Sequence, residues 1–246
     1  MSTNDVWILL IKKLLETEST VSPRGMKTKE LIGHQTVIPM ASPFVTIKQR
    51  NIGKKFRYAE AAWILSGDNR VATIKPYSKL IEKFSDDGVR FFGAYGPKVV
   101  DQLSYVIETL HNDVNTRQAV INIWREKPHK SNDIPCTCSL QFVIRNDCIH
   151  CIATMRSSDA WLGWVYDVFN FSAIANYIAL QLKAQHNKGV SLGNLILNAG
   201  SQHLYEQHWV AASHCLKSKS NQLEFLNRKL KNGEEFINEL WKEANG

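Results

Sequence analysis

The sequence has no long apolar run and no disulfide framework, and these absences exclude two classes of protein. No stretch approaches the ~18 uncharged apolar residues of a membrane span. The first apolar residues are interrupted by Lys12, Lys13 and Glu16, unlike those of a secretory signal. Five cysteines are an odd number, which fits reduced thiols better than paired ones. We therefore expect a cytoplasmic protein that makes no contact with membranes.

Two further absences concern ligands. The chain has no internal repeat, no low-complexity tract and no glycine-rich phosphate loop of the P-loop or dinucleotide type. The formal net charge of +7 is scattered along the chain, and basic residues do not alternate with aromatic ones as a nucleic-acid stacking surface requires. We therefore expect no nucleic-acid partner. A small anionic ligand would account for arginines in a pocket equally well.

The 246 residues, 44% of them hydrophobic, suffice for one substantial core, and we expect a single domain over residues 1–246. Helices are predicted at 56–66, 99–113 and 170–185, and the segments 203–216 and 234–245 complete an interleaved pattern of helices and strands. A strand is predicted at 118–124. The segments CSLQFVIR and CIHCIATMR are predicted to form a hairpin around Asn146 and Asp147. This interleaved layout indicates an α/β (α+β) fold.

Cys136 follows Pro135 at the start of a predicted strand, where its thiolate could attack an electrophilic carbon. The alternative is a small buried apolar residue. A metal site is a second alternative, because the sequence also offers other potential ligands nearby: Cys138, Cys148, His150 and Cys151. The cysteine pairs, Cys136 with Cys138 and Cys148 with Cys151, lie in strand-like segments without the turn residues of a zinc knuckle, which disfavours the metal site.

Two carboxylates lie among apolar residues. Glu60 shares a helix face with Phe56 and Trp63, and Asp167 is the only charged residue in LGWVYDVFNF (162–171). A desolvated glutamate has a raised pKa and can transfer protons near neutral pH. The alternatives are a solvated Glu60 and an Asp167 that caps the helix after it.

Arg156 lies in the segment MRSSD, at the end of an apolar strand. Its guanidinium is suited to bidentate phosphate binding, and Ser157 adds a hydroxyl donor. The alternative is an ordinary surface or ion-pairing arginine.

Three motifs taken together resemble the thymidylate synthase superfamily. They are PCTCSLQF, then MRSSDAWLG, then NAGSQHLY, and upstream matches are Glu60 with WILSGD, Tyr95-Gly96 and Thr116-Arg117. The resemblance extends in unbroken order over roughly residues 20 to 216. It implies an α/β fold whose mixed sheet, flanked by helices, forms the interface of a homodimer.

The resemblance also implies an activity. A cysteine of this superfamily adds to carbon 6 of a pyrimidine nucleoside monophosphate, and carbon 5 then receives a one-carbon unit from 5,10-methylenetetrahydrofolate, without a metal. The implied catalytic residues are Cys136 as the nucleophile, Glu60 for proton transfer and Tyr95 for removal of the carbon-5 proton.

The remaining site residues are also carried over from the motifs. The implied substrate ligands are Arg24, Arg156 and Ser157 at the phosphate, Arg117 at the phosphate of the other subunit, Gln141 in the nucleotide pocket, and His203 and Tyr205 at the sugar hydroxyls. Asp159, Leu162 and Gly163 are implied on the folate side. Gln118 replaces the second of two paired family arginines.

Three departures from the synthase pattern resemble the deoxycytidylate hydroxymethylases of large phages. Thr137 replaces the histidine after the cysteine, Ser201 replaces an aspartate before the His-x-Tyr motif, and Asp167 replaces the asparagine that reads uracil. A carboxyl that holds a proton can donate to the bare ring nitrogen of cytosine and accept from its amino group. Asp167 is therefore predicted as both a base-reading and a catalytic residue, and in a phage protein the location would be the host cytoplasm.

Hydroxymethylation, in which water adds to the intermediate, is favoured over methylation by two further departures. Ile81 stands where synthases place a tryptophan, and the chain ends in KEANG where they have an apolar tail. The predicted function is thus the conversion of dCMP to 5-hydroxymethyl-dCMP. The alternatives are a CMP hydroxymethylase of nucleoside-antibiotic type, a thymidylate synthase-like methylase, and a non-catalytic nucleotide- or RNA-binding homologue.

Overall fold

A computed structural model describes residues 1–78, 80–125, 130–218, 223, 225 and 230–246. A six-stranded mixed sheet lies at its centre, in the order β1-β2-β6-β5-β4-β3. The strands are β1 (Thr20–Val21), β2 (Thr28–Pro39), β3 (Val120–Asn122), β4 (Thr137–Arg145), β5 (Cys148–Asp159) and β6 (Ser191–Tyr205). Only β5 and β6 pair in parallel, and the other neighbours are antiparallel.

Helices flank this sheet, so the predicted α/β architecture is confirmed. They are α1 (Thr3–Glu16), α2 (Lys54–Leu65), α3 (Val71–Ile74), α4 (Tyr95–Asn112), α5 (Trp164–His186), α6 (Trp209–Cys215) and α7 (Gly233–Asn245). Helix α2 ends before Gly67, whose φ of 69° is a left-handed conformation that glycine adopts without strain. No helix in the described part of the chain has both the length and the apolar character that crossing a membrane requires.

The strand register shows that the two faces of the sheet differ. One row across the sheet is fully buried: Ile121, Leu140, Ala153 and Leu197. The adjacent row points to the opposite face, because side chains alternate along a strand. It is partly exposed and largely apolar: Val120, Gln141, Ile152, Ile196 and Val37. Helices α1, α4 and α5 pack against the sheet and cover the buried face.

The predicted hairpin is confirmed. Strands β4 and β5 pair from Arg145 and Cys148 onward, and Asn146 and Asp147 turn the chain with φ values of 50° and 55°. Two successive residues with positive φ are typical of a type I′ turn, which matches the twist of the strands. The strand predicted at 118–124 is shorter than expected and covers Val120–Asn122.

Helix α5 begins at Trp164, six residues before the predicted start at 170, and Gly163 is its N-cap. Asp167 therefore lies inside the first turn, where its backbone N–H donates to the Gly163 carbonyl at 3.0 Å. The alternative of Asp167 as a helix cap is wrong. The helix starts early because Trp164 and Val168, which share one helical face, are both buried in the core.

Candidate active site

Cys136 lies directly before β4, beside the two side chains that donate to its sulfur. The backbone N–H of Arg156 donates to the Cys136 carbonyl at 2.8 Å and fixes the two segments side by side. An Arg156 guanidinium nitrogen lies 3.7 Å from Cys136 Sγ, and the Ser157 hydroxyl lies 3.6 Å from it. A cation and a hydroxyl at this range stabilise a thiolate.

The Cys136 thiol is half-buried, and burial raises its pKa. The charges of Arg156 and Arg24 and the Ser157 hydrogen bond oppose this increase, whereas the carboxyl of Asp167 adds to it. The resting residue is therefore a thiol whose thiolate has stabilising groups already in place. A small core residue would have neither the donors nor the exposure, so the apolar alternative does not match this environment.

Tyr95, the first residue of α4, contacts the residue after the cysteine. Its hydroxyl accepts from the Thr137 backbone N–H at 3.3 Å and from the Thr137 hydroxyl at 2.9 Å. Burial raises the pKa of Tyr95 well above its usual value, and the charges of Asp167 and Cys136 raise it further. Tyr95 is therefore a neutral phenol held beside the predicted nucleophile.

Glu60 of α2 faces Asn170 of α5. The Asn170 amide nitrogen donates to Glu60 Oε2 at 2.8 Å. Burial raises the pKa of Glu60 to about 7, and the Asn170 hydrogen bond acts in the opposite direction. Part of the residue remains open to solvent, but its carboxyl is enclosed by protein. The alternative of a fully solvated carboxylate does not match this position.

Asp167 lies one helical turn before Asn170. Burial raises the pKa of Asp167 well above its usual value, and the nearby carboxyls of Glu60 and Asp159 raise it further. Within the described ranges, no group donates a hydrogen bond to the Asp167 carboxyl. These shifts favour the protonated form of the side chain, which has unused capacity both to donate and to accept.

Strands β5 and β6 bring the predicted folate and sugar residues together. Asp159 pairs with His203 in the parallel register, and the His203 and Tyr205 rings pack edge to face at 5.1 Å. Asp159 Oδ1 accepts from the backbone N–H groups of Trp161 and Leu162 at 2.8 and 3.2 Å. Asp159 Oδ2 accepts no hydrogen bond from the described residues.

The predicted folate residues suit a pterin ring. Leu162 is 48% exposed and presents apolar surface beside the available oxygen of Asp159. A pterin offers a flat ring and N–H donors, which an apolar side chain and a carboxylate oxygen can contact together. Asp159 and Leu162 therefore fit the pterin of methylenetetrahydrofolate, and the roles of Asp159, Leu162 and Gly163 on the folate side stay predictions.

The predicted phosphate ligands are not all in one place. Arg24 is exposed, and its charge lowers the pKa of Cys136, so it lies within electrostatic range of the sulfur. Arg117 is also exposed, and its carbonyl accepts from the Gln141 amide at 2.8 Å. Gln141 belongs to the partly exposed row of the sheet, five residues after Cys136 in the chain. The single chain does not bring Gln141 or Arg117 to the cysteine, and their roles stay predictions.

The alternative of a cysteine metal site is wrong for these residues because of the hairpin register. Cys148 pairs with Arg145 beside the turn, whereas Thr137, next to Cys136, pairs with Met155 at the far end of the hairpin. The two cysteine pairs are therefore far apart. In the described ranges, no three His, Cys, Asp or Glu side chains form a group that could hold a metal ion.

Two residues of this group are not among the predicted site residues. In the sequence, Thr137 stands out only as a departure from the family motif, yet it donates twice to Tyr95. Asn170 stands out only as part of a buried helix. The three-residue spacing from Asp167 to Asn170 could have indicated it, since such residues share a helical face.

The family model "Thymidylate synthase" matches residues 6–240, nearly the whole chain. The chain belongs to the thymidylate synthase family. Two relatives of this chain are named for different reactions. A deoxyuridylate hydroxymethyltransferase of Bacillus phage SP01 is 30% identical over 219 residues, which cover 80% of this chain and 55% of the relative. A thymidylate synthase of Buchnera aphidicola subsp. Baizongia pistaciae is 26% identical over 215 residues, which cover 82% of this chain and 79% of the relative.

The chain thus spans about half the length of the phage relative. The name of that relative indicates hydroxymethylation of a uracil nucleotide, whereas the motifs of this chain predict hydroxymethylation of a cytosine nucleotide. The family match and the geometry around Cys136 argue together against the non-catalytic alternative, because a protein that only binds needs neither a nucleophile nor a buried glutamate.

Proposed function

We propose that this thymidylate synthase family member transfers a one-carbon unit to carbon 5 of dCMP, with addition of water, and forms 5-hydroxymethyl-dCMP. The observation that carries the proposal is the Asp167 carboxyl. The residue is half-buried, burial raises the pKa of its carboxyl, and no described residue donates a hydrogen bond to it. A carboxyl in this state complements cytosine, and once ionised it has no donor for the position-4 carbonyl of uracil.

The hydrogen-bonding edges of the two bases explain this selectivity. Cytosine offers a bare ring nitrogen at position 3 and an amino donor at position 4, so a protonated Asp167 donates to the first and accepts from the second. Uracil offers an N–H donor and a carbonyl acceptor. A carboxyl complements that pair only if its donor and acceptor exchange places, and an ionised one has no donor. A buried polar group left unpaired can change selectivity by roughly 10⁴ to 10⁵.

The proposed reaction begins at Cys136. Its sulfur forms a bond to carbon 6 of the base, and the electron pair of the carbon 5–carbon 6 double bond makes carbon 5 a nucleophile. Arg156 and Ser157 stabilise the thiolate that attacks. Carbon 5 forms a bond to the one-carbon unit and then loses its proton, with Tyr95 beside the nucleophile and with Glu60, whose pKa is about 7, available for proton transfer. Loss of this proton and release of tetrahydrofolate, with the electron pair of its bond to the transferred carbon, would leave an exocyclic methylene group on the base.

The last steps release the product. Water adds to the exocyclic methylene carbon, its proton leaves to the solvent or to Glu60, and the sulfur of Cys136 departs from carbon 6 with its electron pair. When bound at Asp159, Leu162 and Gly163, methylenetetrahydrofolate would supply the one-carbon unit at the oxidation level of formaldehyde. The balance is therefore one CH₂O unit gained by the nucleotide.

The phosphate of the nucleotide is proposed to bind at Arg156 and Ser157. Arg156 is held by its contacts to the Pro135 and Ile134 carbonyls, both at 3.0 Å. Its Nη1 nitrogen donates to Ser157 Oγ at 3.2 Å, which leaves one further N–H on that nitrogen for an anion. Arg24 adds positive charge within electrostatic range of the sulfur.

A homodimer is proposed through the partly exposed face of the sheet. The row from Val37 to Val120 is largely apolar, and its two outer members are 47% and 36% exposed. Apolar rows of this kind are typically covered in the assembled protein. Pairing of two sheets would also place the exposed Arg117 near the partner subunit, which suits its predicted role at the partner's phosphate.

The experiment is mass spectrometry of the products after incubation with methylenetetrahydrofolate and dCMP, CMP or dUMP in separate reactions. The proposal expects a gain of one CH₂O unit on dCMP. A gain of CH₂ on any nucleotide would assign methylation. A gain of CH₂O on dUMP alone would assign the reaction named for the phage relative and would contradict the proposed base.

A further inference from the structure

Asn170 is enclosed in the protein interior beside Glu60. It is 2% exposed, and its amide nitrogen donates to Glu60 Oε2 at 2.8 Å. Its Oδ1 is fully buried and has no hydrogen-bond partner among the described residues. An orphan acceptor in the interior destabilises the folded protein, so a buried amide at this position calls for an explanation.

We propose that Asn170 is a positioning residue that holds the Glu60 carboxyl in both of its protonation states. The inference rests on the proposed role of Glu60 in proton transfer. The geometry that carries it is one amide group, buried against one carboxyl, with only one of its two polar atoms bonded.

An amide has both a donor and an acceptor, so that it can form a hydrogen bond to Glu60 in either protonation state. When Glu60 is ionised, it accepts from Asn170 Nδ2. When Glu60 takes up a proton, its O–H needs an acceptor, and a half-turn of the amide presents Oδ1 to it. In each state one amide atom is bonded and the other is not. One unpaired amide atom therefore destabilises both protonation states of Glu60, so that it does not favour either of them.

The neighbouring groups do not provide this function. Among the described residues, Asp167 on α5 is the titratable group that interacts with Glu60, and burial favours the neutral form of Asp167. Within the described ranges, only burial and the Asn170 hydrogen bond shift the pKa of Glu60. Asn170 is therefore the group that offsets burial and allows Glu60 to exchange a proton near neutral pH.

Two variants and a control separate positioning from packing. Asn170→Leu keeps the approximate shape of the side chain and removes both polar atoms. Asn170→Ser is smaller but keeps a donor and an acceptor in one hydroxyl. Asn198 on β6 offers a matched control, because its side chain accepts from the Gln35 amide at 2.8 Å on the sheet. Asn198→Leu therefore removes an amide without touching the pair.

The first measurement needs no substrate. Carbon-13 NMR of glutamate labelled at the carboxyl carbon, assigned by the signal lost in Glu60→Gln, follows the titration of Glu60 in the free protein. Because burial raises the pKa of Glu60 to about 7, we expect a midpoint near that pH in the wild type. Asn170→Leu removes a hydrogen bond from both states, but the bond to the ionised state is the stronger one, so the midpoint should rise by about 1 pH unit. Asn170→Ser should recover part of this change, and Asn198→Leu should cause none.

The second measurement is the pH dependence of kcat. The acidic limb should move upward in Asn170→Leu, so that kcat falls about fivefold at pH 7 and recovers at pH 9, with KM for the nucleotide within about threefold. An unchanged Glu60 midpoint in folded Asn170→Leu and Asn170→Ser would overturn the inference, whatever the activity. An inactive wild type with the expected midpoints would count against the proposed function and leave the inference standing.

Discussion

The hydroxyl of Tyr95 accepts two hydrogen bonds from Thr137, the residue that follows Cys136. One comes from a backbone N–H that any residue except proline would supply, and the other comes from a hydroxyl that can also accept. If the neutral Tyr95 takes a proton from carbon 5, its own proton must leave to solvent, and the Thr137 hydroxyl, after rotation, can accept that hydrogen bond and relay the proton. The threonine found where synthases have histidine therefore has a definite partner.

Replacement of Thr137 by valine tests this partnership. Thr137→Val keeps the shape and the backbone donor and removes only the hydroxyl. We expect the release of the carbon-5 hydrogen to slow by roughly tenfold, the value of one hydrogen bond. Release is measured by mass spectrometry with a nucleotide deuterated at carbon 5. Thr137→Ser should remain close to the wild type, and equal rates in all three proteins would contradict the role.

Cys136→Ser should abolish product formation while nucleotide affinity stays within about tenfold, or 1.4 kcal/mol, of the wild type. The reason is that the sulfur forms a bond only after the nucleotide has bound. Isothermal titration calorimetry with the nucleotide gives the affinity. The fully buried Cys151 provides a control, since Cys151→Ala removes a thiol from the core and should leave turnover measurable. A large loss of affinity in Cys136→Ser would show that Cys136 has a structural role.

The charge of Arg156 should control the reactivity of the thiol. Because the guanidinium lowers the pKa of Cys136, its loss in Arg156→Gln raises that pKa further and reduces the thiolate fraction at about pH 8. Alkylation of Cys136 by iodoacetamide, followed on its peptide by mass spectrometry, should slow several-fold. Arg156→Lys keeps a cation and should slow less. Alkylation at the wild-type rate in Arg156→Gln would show that the charge does not act on the sulfur.

The raised pKa of Glu60 should appear in the pH dependence of stability. Ionising Glu60 is harder in the folded chain, with a pKa of about 7, than at the ordinary value of 4.5 in the unfolded chain. The folded state therefore binds the extra proton, and its stability falls as pH rises from about 4.5 to 7. Glu60→Gln is free of this cost. Its gain in unfolding free energy should be about 2–3 kcal/mol larger at pH 9 than at pH 5.

Urea unfolding at the two pH values measures this difference. The control is Glu16→Gln, because the Glu16 side chain is 64% exposed and pairs only with the exposed Lys12 at 3.8 Å among the described residues. A gain in Glu60→Gln that does not change with pH would mean that the Glu60 carboxyl is not desolvated.

Much of the fold could be predicted from the sequence because the governing signals are local. Helix α2 and the β4–β5 hairpin follow from apolar periodicity and from the Gly67 and Asn146-Asp147 turns. The start of α5 could not be predicted in this way, since the run from Trp164 to Phe171 is apolar on nearly every side and gives no helical period. The burial of Trp164 decides that boundary, and it depends on tertiary packing.

The residues of the candidate site also differ in how far they could be predicted from the sequence. Cys136, Arg156 and Asp167 could be found from residue type, surroundings and motif. The spacing from Asp167 places Asn170 on the same helical face, but the contact of Asn170 with Glu60 could not be predicted, because Glu60 lies 110 residues earlier in the chain on another helix. A contact between side chains of two packed helices leaves no short-range pattern in a single sequence.

The measurement that tests the central claim most directly is the ratio of kcat/KM for dCMP to kcat/KM for dUMP in the wild type and in Asp167→Asn. An amide donates to a carbonyl and accepts from an N–H, so it complements uracil. A protonated carboxyl complements cytosine. We predict that the ratio favours dCMP in the wild type and falls by at least about 10³-fold in Asp167→Asn. An unchanged ratio would contradict the claim that Asp167 reads the base.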